Sequence, residues 1–486
     1  MSAFLVTYWP HFVALASVLL AALAAAHAAM TKDEVRAAIG WVGVILLSPF
    51  VGAAVYAIAG INRIRRGSVA AGRSATGHRV VAHPRFDATD DHVSALFGRQ
   101  FAALKRVGDR LTHHTLSTAN VATMLESGDE AYAAMIAAIT DAQRCVILET
   151  YIFDRDPIGL RIADALIAAA GRGVSVRVLI DAVGARYSVP SIVRYLRQGG
   201  ITTDVFNGSI IMGLRLPYAN LRTHRKILVV DGARAFVGGM NIRQGFTAEF
   251  AGADRACDTH FQIVGPVVAD IFSIAAEDWH FASGERLAGD TWRATPETAR
   301  QPDAPMLMRA LPSGPDDSLE ANHKMLMGAF SVARHSIRIM SPYFLPDREL
   351  ISALTTAARR GVAIDIVVPS ANNLVLVDRA MRAQFNQVLR SYCRIWRAQG
   401  PFDHSKLLAV DSTWAFIGSS NLDPRSLRLN FEIDIEILDA GFAKRIEARI
   451  DSAIGNAREV TLAELHRRPF LSRLVDRVLW LGSPYL

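Results

Sequence analysis

The chain has 486 residues, of which 51% are hydrophobic, and a formal charge of +7; this length exceeds one ordinary core and predicts two or three domains. The positive mean hydropathy is high for a soluble enzyme and places part of the apolar content in lipid. The basic balance suits an anionic partner, nucleic acid or an acidic membrane surface, without choosing between them, and the three scattered cysteines, Cys145, Cys257 and Cys393, suggest neither a disulfide framework nor a zinc site.

Two apolar stretches open the chain, Phe4 to Ala26 and Ala37 to Ile61, each long enough to cross roughly 30 Å of hydrocarbon. Ala24-Ala25-Ala26 resembles a signal-peptide cleavage site, but no Lys or Arg precedes the apolar run as such a peptide requires. The loop Thr31 to Arg36 balances its charges, whereas Arg63, Arg65, Arg66 and Arg73 follow the second stretch, which predicts a hairpin with both ends and the downstream domain in the cytoplasm. Pro49 is tolerable there if neighbouring helices compensate. The expected divisions are two transmembrane helices over residues 1–66, a juxtamembrane linker over 67–115, and two domain-sized units over 116–300 and 301–486.

From about Asn120, short β-branched runs alternate with helical patterns, as in layered α/β domains. The series occurs twice. In the first copy Arg144 to Phe153 reads as a strand, a helix ends at Gly171-Arg172-Gly173, and Val174 to Ala182 is the next strand. Ser336 to Phe344, Glu349 to Arg360 with its stop at Gly361, and Val362 to Pro369 repeat that order. Two units this large predict a duplicated, pseudo-symmetric molecule with a site between its halves.

Each copy also carries one spaced set of polar residues. His224, Lys226, Asp231, Gly238-Gly239 and Asn241 in the first answer His404, Lys406, Asp411, Gly418-Ser419 and Asn421 in the second, at identical offsets. On a strand, a His and a Lys two residues apart point to one face, so both can address one anion. A lone His-x-Lys is commonplace, but five matched positions occurring twice are not. This doubled pattern resembles the HKD motif of the phospholipase D superfamily. The resemblance covers essentially the whole chain. The two amino-terminal stretches, Ser341 to Asp347 and the closing Trp480 to Leu486 resemble specifically the bacterial cardiolipin synthases.

That resemblance implies two tandem phospholipase D-type α/β/α sandwich units behind a transmembrane hairpin, in a multi-pass protein of the bacterial inner membrane. It implies phosphatidyl transfer between two phosphatidylglycerol molecules, giving cardiolipin and glycerol, with no metal, cofactor or nucleic acid. His224 is then the nucleophile and His404 the general acid, an order that pseudo-symmetry alone leaves open. Lys226 and Lys406 neutralise phosphate oxygens, while Asn241, Asn421 and Ser419 bind the phosphate. Asp258 and Glu432, on the strands that follow the two motifs, look like the carboxylates that orient each imidazole. Asp231 and Asp411, though part of the motif, suit bracing of the turn after each catalytic strand better than contact with substrate. Glu149, Tyr151, Ser341 and Tyr343 are candidates for the pocket wall, and Arg222, Arg225 and Arg425 for contact with a second lipid phosphate. His280, His113, His114 and His323 fall outside the motif, and His323 is expected on a solvated helix face. The same residues would also serve a phospholipase D hydrolase or, more remotely, a superfamily nuclease, although the apolar stretches and the lack of aromatic stacking clusters speak against nucleic acid.

Overall fold

The computed structural model describes residues 2–32, 34–60, 85–207, 221–295 and 306–482. The basic run Arg63 to Arg73 and the closing residues Ser483 to Leu486 lie outside the described residues. The chain forms two compact units, the amino-terminal helices and an α/β body.

In the first unit a helix covers Ser2–Thr31, and its Tyr8–Thr31 portion is long and apolar enough to cross a bilayer. The second apolar stretch departs from the expected single helix. It is α-helical over Val35–Leu47, turns at Ser48, resumes over Pro49–Val55 and ends in a π-helical turn at Tyr56–Gly60. Pro49 lacks an N–H and disfavours helical geometry at the residue before it, which breaks the helix at Ser48. The turn is sharp enough that a Cβ on Gly52 would stand 2.3 Å from the Val44 carbonyl oxygen. Small side chains let these helices approach, with Ala21 and Ala28 buried against Ile45 and Tyr56, and His27 Nδ1 lies 2.7 Å from the Tyr56 hydroxyl.

The α/β body is built on one mixed sheet. Its first half contributes β1 (Ser117–Leu125), β2 (Cys145–Thr150), β3 (Ser175–Asp181), β4 (Thr202–Phe206), β5 (Arg222–Thr223), β6 (Ile227–Val230), β7 (Arg234–Gly238) and β8 (His260–Val264). The second half contributes β9 (Met306–Ser313), β10 (Ser336–Met340), β11 (Ala363–Pro369), β12 (Arg394–Ala398), β13 (Leu407–Val410), β14 (Trp414–Gly418), β15 (Asn430–Leu438) and β16 (Ala457–Glu459). The strand order β4-β3-β2-β6-β7-β8-β1 in one half is answered by β12-β11-β10-β13-β14-β15-β9 in the other, with β1 against β9 at the junction. Duplication is thus written into the topology, and the two units read from the sequence share one sheet.

Within each half, parallel pairing of β2 with β3 and of β10 with β11 follows from a helical crossover. The crossover helices, Pro157–Gly171 and Arg348–Arg359, start alike: Asp156 accepts from the Gly159 N–H and Asp347 from the Leu350 N–H. Each crossover stops at a glycine with positive φ, Gly173 (94°) or Gly361 (94°), a conformation that costs a side-chain-bearing residue energy. Apolar faces of these helices and of the strands pack into a hydrophobic core in each half.

Residues 67–115 are not simply a linker. Asp90–Phe97 and Arg99–Leu111 are helices, and Phe101 and Leu104 are buried in the core of the second half with Leu307, Met325 and Leu326. The segment preceding the first half therefore completes the second. Buried Arg309 on β9 fixes it further, pairing with Asp109 at 2.9 Å and Glu436 at 3.2 Å.

Candidate active site

The turn that precedes each catalytic strand carries its histidine across the pseudo-symmetry axis. β5 runs parallel to the start of β15, so the His224 N–H donates to the Phe431 carbonyl at 2.8 Å. In the matching place the His404 N–H donates to the Cys257 carbonyl, also at 2.8 Å. The residues that follow these two carbonyls are Glu432, on β15, and Asp258, just before β8. Backbone pairing thus sets each imidazole beside a carboxylate of the other half: His224 Nδ1 is 3.0 Å from Glu432, and His404 Nδ1 is 2.9 Å from Asp258. The sequence reading linked each carboxylate with the motif it follows; the structure exchanges them.

Both carboxylates are fully buried. Burial alone opposes their charge, but His224 with Lys226 beside Glu432, and Lys406 with His404 beside Asp258, hold both below the usual carboxylate range. Burial pushes the imidazoles the other way. His224 is shifted below its ordinary value by desolvation, with both lysines adding to it, and desolvation with Lys406 pushes His404 down to about 4. Both shifts favour the neutral ring, and a carboxylate at Nδ1 favours the tautomer that keeps its proton there; the other ring nitrogen of His404, Nε2, has Lys406 Nζ at 3.1 Å.

The lysines stand behind the rings. Lys226 donates to its own His224 carbonyl at 2.6 Å, and Lys406 does the same at His404. Burial pushes Lys226 down to about 7 and Lys406 down to about 8. Desolvation thus weakens each ammonium's hold on its proton, a shift that a neighbouring anion opposes.

A cavity of about 920 Å³ opens onto both histidines. Tyr151, His224 and Asn241 face it from the first half, and Tyr343, His404 and Asn421 from the second. Asn241 spends its side-chain oxygen on the Ile152 N–H at 3.1 Å, which leaves its amide to the cavity; the Asn421 side-chain oxygen is buried without a partner. The walls differ. Arg222 lines the first-half side where Phe402, at the same offset from its histidine, lines the other, and Arg425 sits where the first copy has Gly245.

Several expected roles change. Ser419 is fully buried and does not face the cavity; its hydroxyl donates to Glu432 at 2.6 Å and so helps to hold that carboxylate. In the first copy Gly239 takes its place, because a Cβ there would lie 2.8 Å from both Asp258 oxygens. Asp231 and Asp411 are remote from the cavity and are not catalytic in position. Each has positive φ, 54° and 52°, and caps backbone N–H groups: Gln143, Arg144 and Cys145 for Asp231, Arg334, His335 and Ser336 for Asp411. Arg225 does not reach the cavity either, being fully buried against Asp278 with its Nε donating to the Glu432 carbonyl at 2.9 Å. Glu149 and Ser341 lie beneath the wall, leaving Tyr151 and Tyr343 to form it. His323 is buried and pairs with Asp347 at 2.9 Å, so it is no solvated face. Tyr132, not singled out in the sequence, donates its hydroxyl to the Asn241 carbonyl and pins that loop; a lone tyrosine on a helix carries no sequence signal for such a role.

A duplicated α/β body that brings the histidine of each motif to one cavity, with the motif lysines buried beside them, defines the phospholipase D class. The family described as cardiolipin synthase, PLD-like domain matches residues 135–250 and 326–454, and a phospholipase D-nuclease N-terminal family matches 19–60. A cardiolipin synthase of Alkalihalophilus pseudofirmus is 31% identical over 452 residues, covering 92% of this chain and 88% of that one. A cardiolipin synthase A of Pseudomonas entomophila is 33% identical over 478 residues, with 96% of both chains covered. The chain belongs to the cardiolipin synthase family. Among solved structures, a phosphatidylserine synthase of Haemophilus influenzae shares the fold at a TM-score of 0.60 and 15% identity, covering 79% of this chain and 100% of that one.

Proposed function

We propose that this chain moves a phosphatidyl group from one phosphatidylglycerol to the headgroup hydroxyl of a second, yielding cardiolipin and glycerol. One observation carries the reading: two imidazoles, one from each half, share a cavity, and each is held at Nδ1 by the other half's carboxylate.

In the first step His224 Nε2 attacks phosphorus and the bond to the leaving glycerol oxygen breaks, while His404 delivers a proton to that oxygen. In the second, neutral His404 takes the proton of the acceptor hydroxyl, whose oxygen attacks phosphorus and breaks the Nε2–P bond. Both histidines return to their starting states. His404 needs a proton for the first step although its empty-site value is about 4. Burial and, after it, the two lysine charges depress it; a bound phosphodiester anion offsets the lysine part, so substrate itself raises His404 toward protonation. Lys226, Lys406 and the amides of Asn241 and Asn421 stabilise the charge on the phosphoryl oxygens. Arg222 and Arg425 are positioned for the phosphate of the acceptor lipid. Glu432 and Asp258 are positioning residues.

The same reading places the body on the cytoplasmic face with both apolar stretches in the membrane, supported by the Arg63 to Arg73 cluster after the second. Purified protein with phosphatidylglycerol vesicles, without metal or nucleotide, is expected to make cardiolipin and glycerol in equal amounts, and His224→Ala or His404→Ala none. Phosphatidic acid as the only lipid product would make the chain a hydrolase, and unchanged cardiolipin from either variant would remove this mechanism.

A further inference from the structure

We infer that the carboxy-terminal helix and the adjoining lip of the cavity form a second membrane contact, separate from the amino-terminal helices, that lays the α/β body against an anionic lipid surface. It rests on the lipid-substrate reading only for its link to the cavity.

The helix Phe470–Leu481 turns an apolar face to solvent: Phe470, Leu471, Leu474, Val475, Val478 and Leu481 are each 42% to 72% exposed. The opposite side fixes it in place. Asp476 is buried between Arg379 at 2.8 Å and Arg468 at 2.6 Å, and Trp480 packs on the core of the second half. Arg379 belongs to the helix Val375–Leu389, so that ion pair ties the two helices together. The orientation that leaves the leucines outside is thus built into the protein.

Charge identifies what covers this face. Arg467, Arg473 and Arg477 stand exposed around the apolar stripe, and Asp476, the single acid between His466 and Gly482, is buried and paired. An apolar stripe rimmed by arginines is the pattern of a helix lying in the headgroup layer of an anionic bilayer. A partner protein with an apolar groove would serve the stripe but not the arginines.

Position relative to the site supports the same occupant. The helix Val375–Leu389, which carries the carboxy-terminal helix, begins with Leu374, Val375 and Leu376, 47%, 68% and 54% exposed. Leu374 and Val377 also line the catalytic cavity. On the first-half side of that cavity Tyr187 is 56% exposed. Exposed apolar side chains thus stand both on the outer helix and at the cavity-facing start of the helix that carries it, so one bilayer surface can cover both and shelter acyl chains on the way to the histidines.

The full chain, reconstituted in phosphatidylglycerol vesicles, tests this in two ways. A spin label at Leu474→Cys, corrected for label on the parent chain, is expected to be more accessible to oxygen than to a water-soluble nickel chelate. The triple variant Leu471→Ser, Leu474→Ser, Val478→Ser is expected to lose about tenfold or more of its activity on bilayer substrate. Its activity on short-chain phosphatidylglycerol below the micelle concentration is expected to stay unchanged. A label that reports water, dipolar coupling between labels that reveals a second copy on this face, or equal loss on both substrates would each overturn the inference. The label needs no turnover, so a parent chain inactive on phosphatidylglycerol would defeat the proposed function and leave this result readable.

Discussion

Glu432 and Asp258 decide how the two histidines can act, because a neutral imidazole is a directed nucleophile or base only when one ring nitrogen is committed elsewhere. Glu432→Gln keeps the shape near His224 but no longer favours the Nδ1–H tautomer. Cardiolipin formation should fall by roughly 10²- to 10⁴-fold with an unchanged circular dichroism spectrum, and near-normal turnover would separate Glu432 from the mechanism. A second consequence concerns protons. Lys226 near 7 and Lys406 near 8 are only partly protonated in the empty site at neutral pH, and an anion between them raises both. Binding a phosphonate analogue of phosphatidylglycerol at pH 7 should therefore take up protons, roughly half a proton per site from the lysines and up to about one more as the anion charges His404. Titration calorimetry in buffers of different ionisation enthalpy reads this directly, and zero uptake or release would contradict it. The histidines and lysines were legible in the sequence because identical offsets recur in both copies. Their partners were legible as residues but not as pairs. Glu432 is 208 positions from His224 and Asp258 is 146 from His404, and only the exchange of β5 and its counterpart between halves brings them together.

The turn after each motif strand is braced by its aspartate against the start of the neighbouring strand. Asp231 adopts positive φ and accepts from three successive backbone N–H groups at 2.7–3.0 Å, joining the β6–β7 turn to the start of β2. Asp231→Ala removes those acceptors and keeps the unfavourable φ, a loss of about 1–3 kcal/mol. A lower melting temperature with near-parental turnover per folded molecule is expected at low temperature. Loss of turnover without a change in melting would place Asp231 in the chemistry after all. Crossover helices and their glycine stops were readable from local pattern, since each depends on residues close in sequence. The break at Ser48 was not: composition over Ala37 to Ile61 is uniformly apolar, and hydropathy registers neither the bend that Pro49 imposes nor the close approach at Gly52.

At the scale of the molecule, the helices over Asp90–Leu111 explain why the division into linker and two units fails. A polar, charged segment ahead of the first repeat reads as a connector, because nothing local says that Phe101 and Leu104 fill a core whose other residues lie some 200 positions later. Their burial makes two truncations distinguishable. Removing residues 1–66 takes away the amino-terminal unit and leaves the compact body whole; that fragment should fold, with weak activity on bilayers. Removing residues 1–111 also strips Phe101 and Leu104 from the second half and leaves buried Arg309 without Asp109. Two large apolar side chains withdrawn from a core cost about 3–5 kcal/mol each, and a buried guanidinium that loses one of its two carboxylates adds to that cost. Such a loss is comparable to the whole stability of an ordinary domain. The longer truncation should therefore be insoluble or protease-sensitive although both HKD motifs remain, whereas a folded, soluble product would show that the segment is a connector. Limited proteolysis of the two fragments side by side decides between these outcomes without reference to lipid or activity.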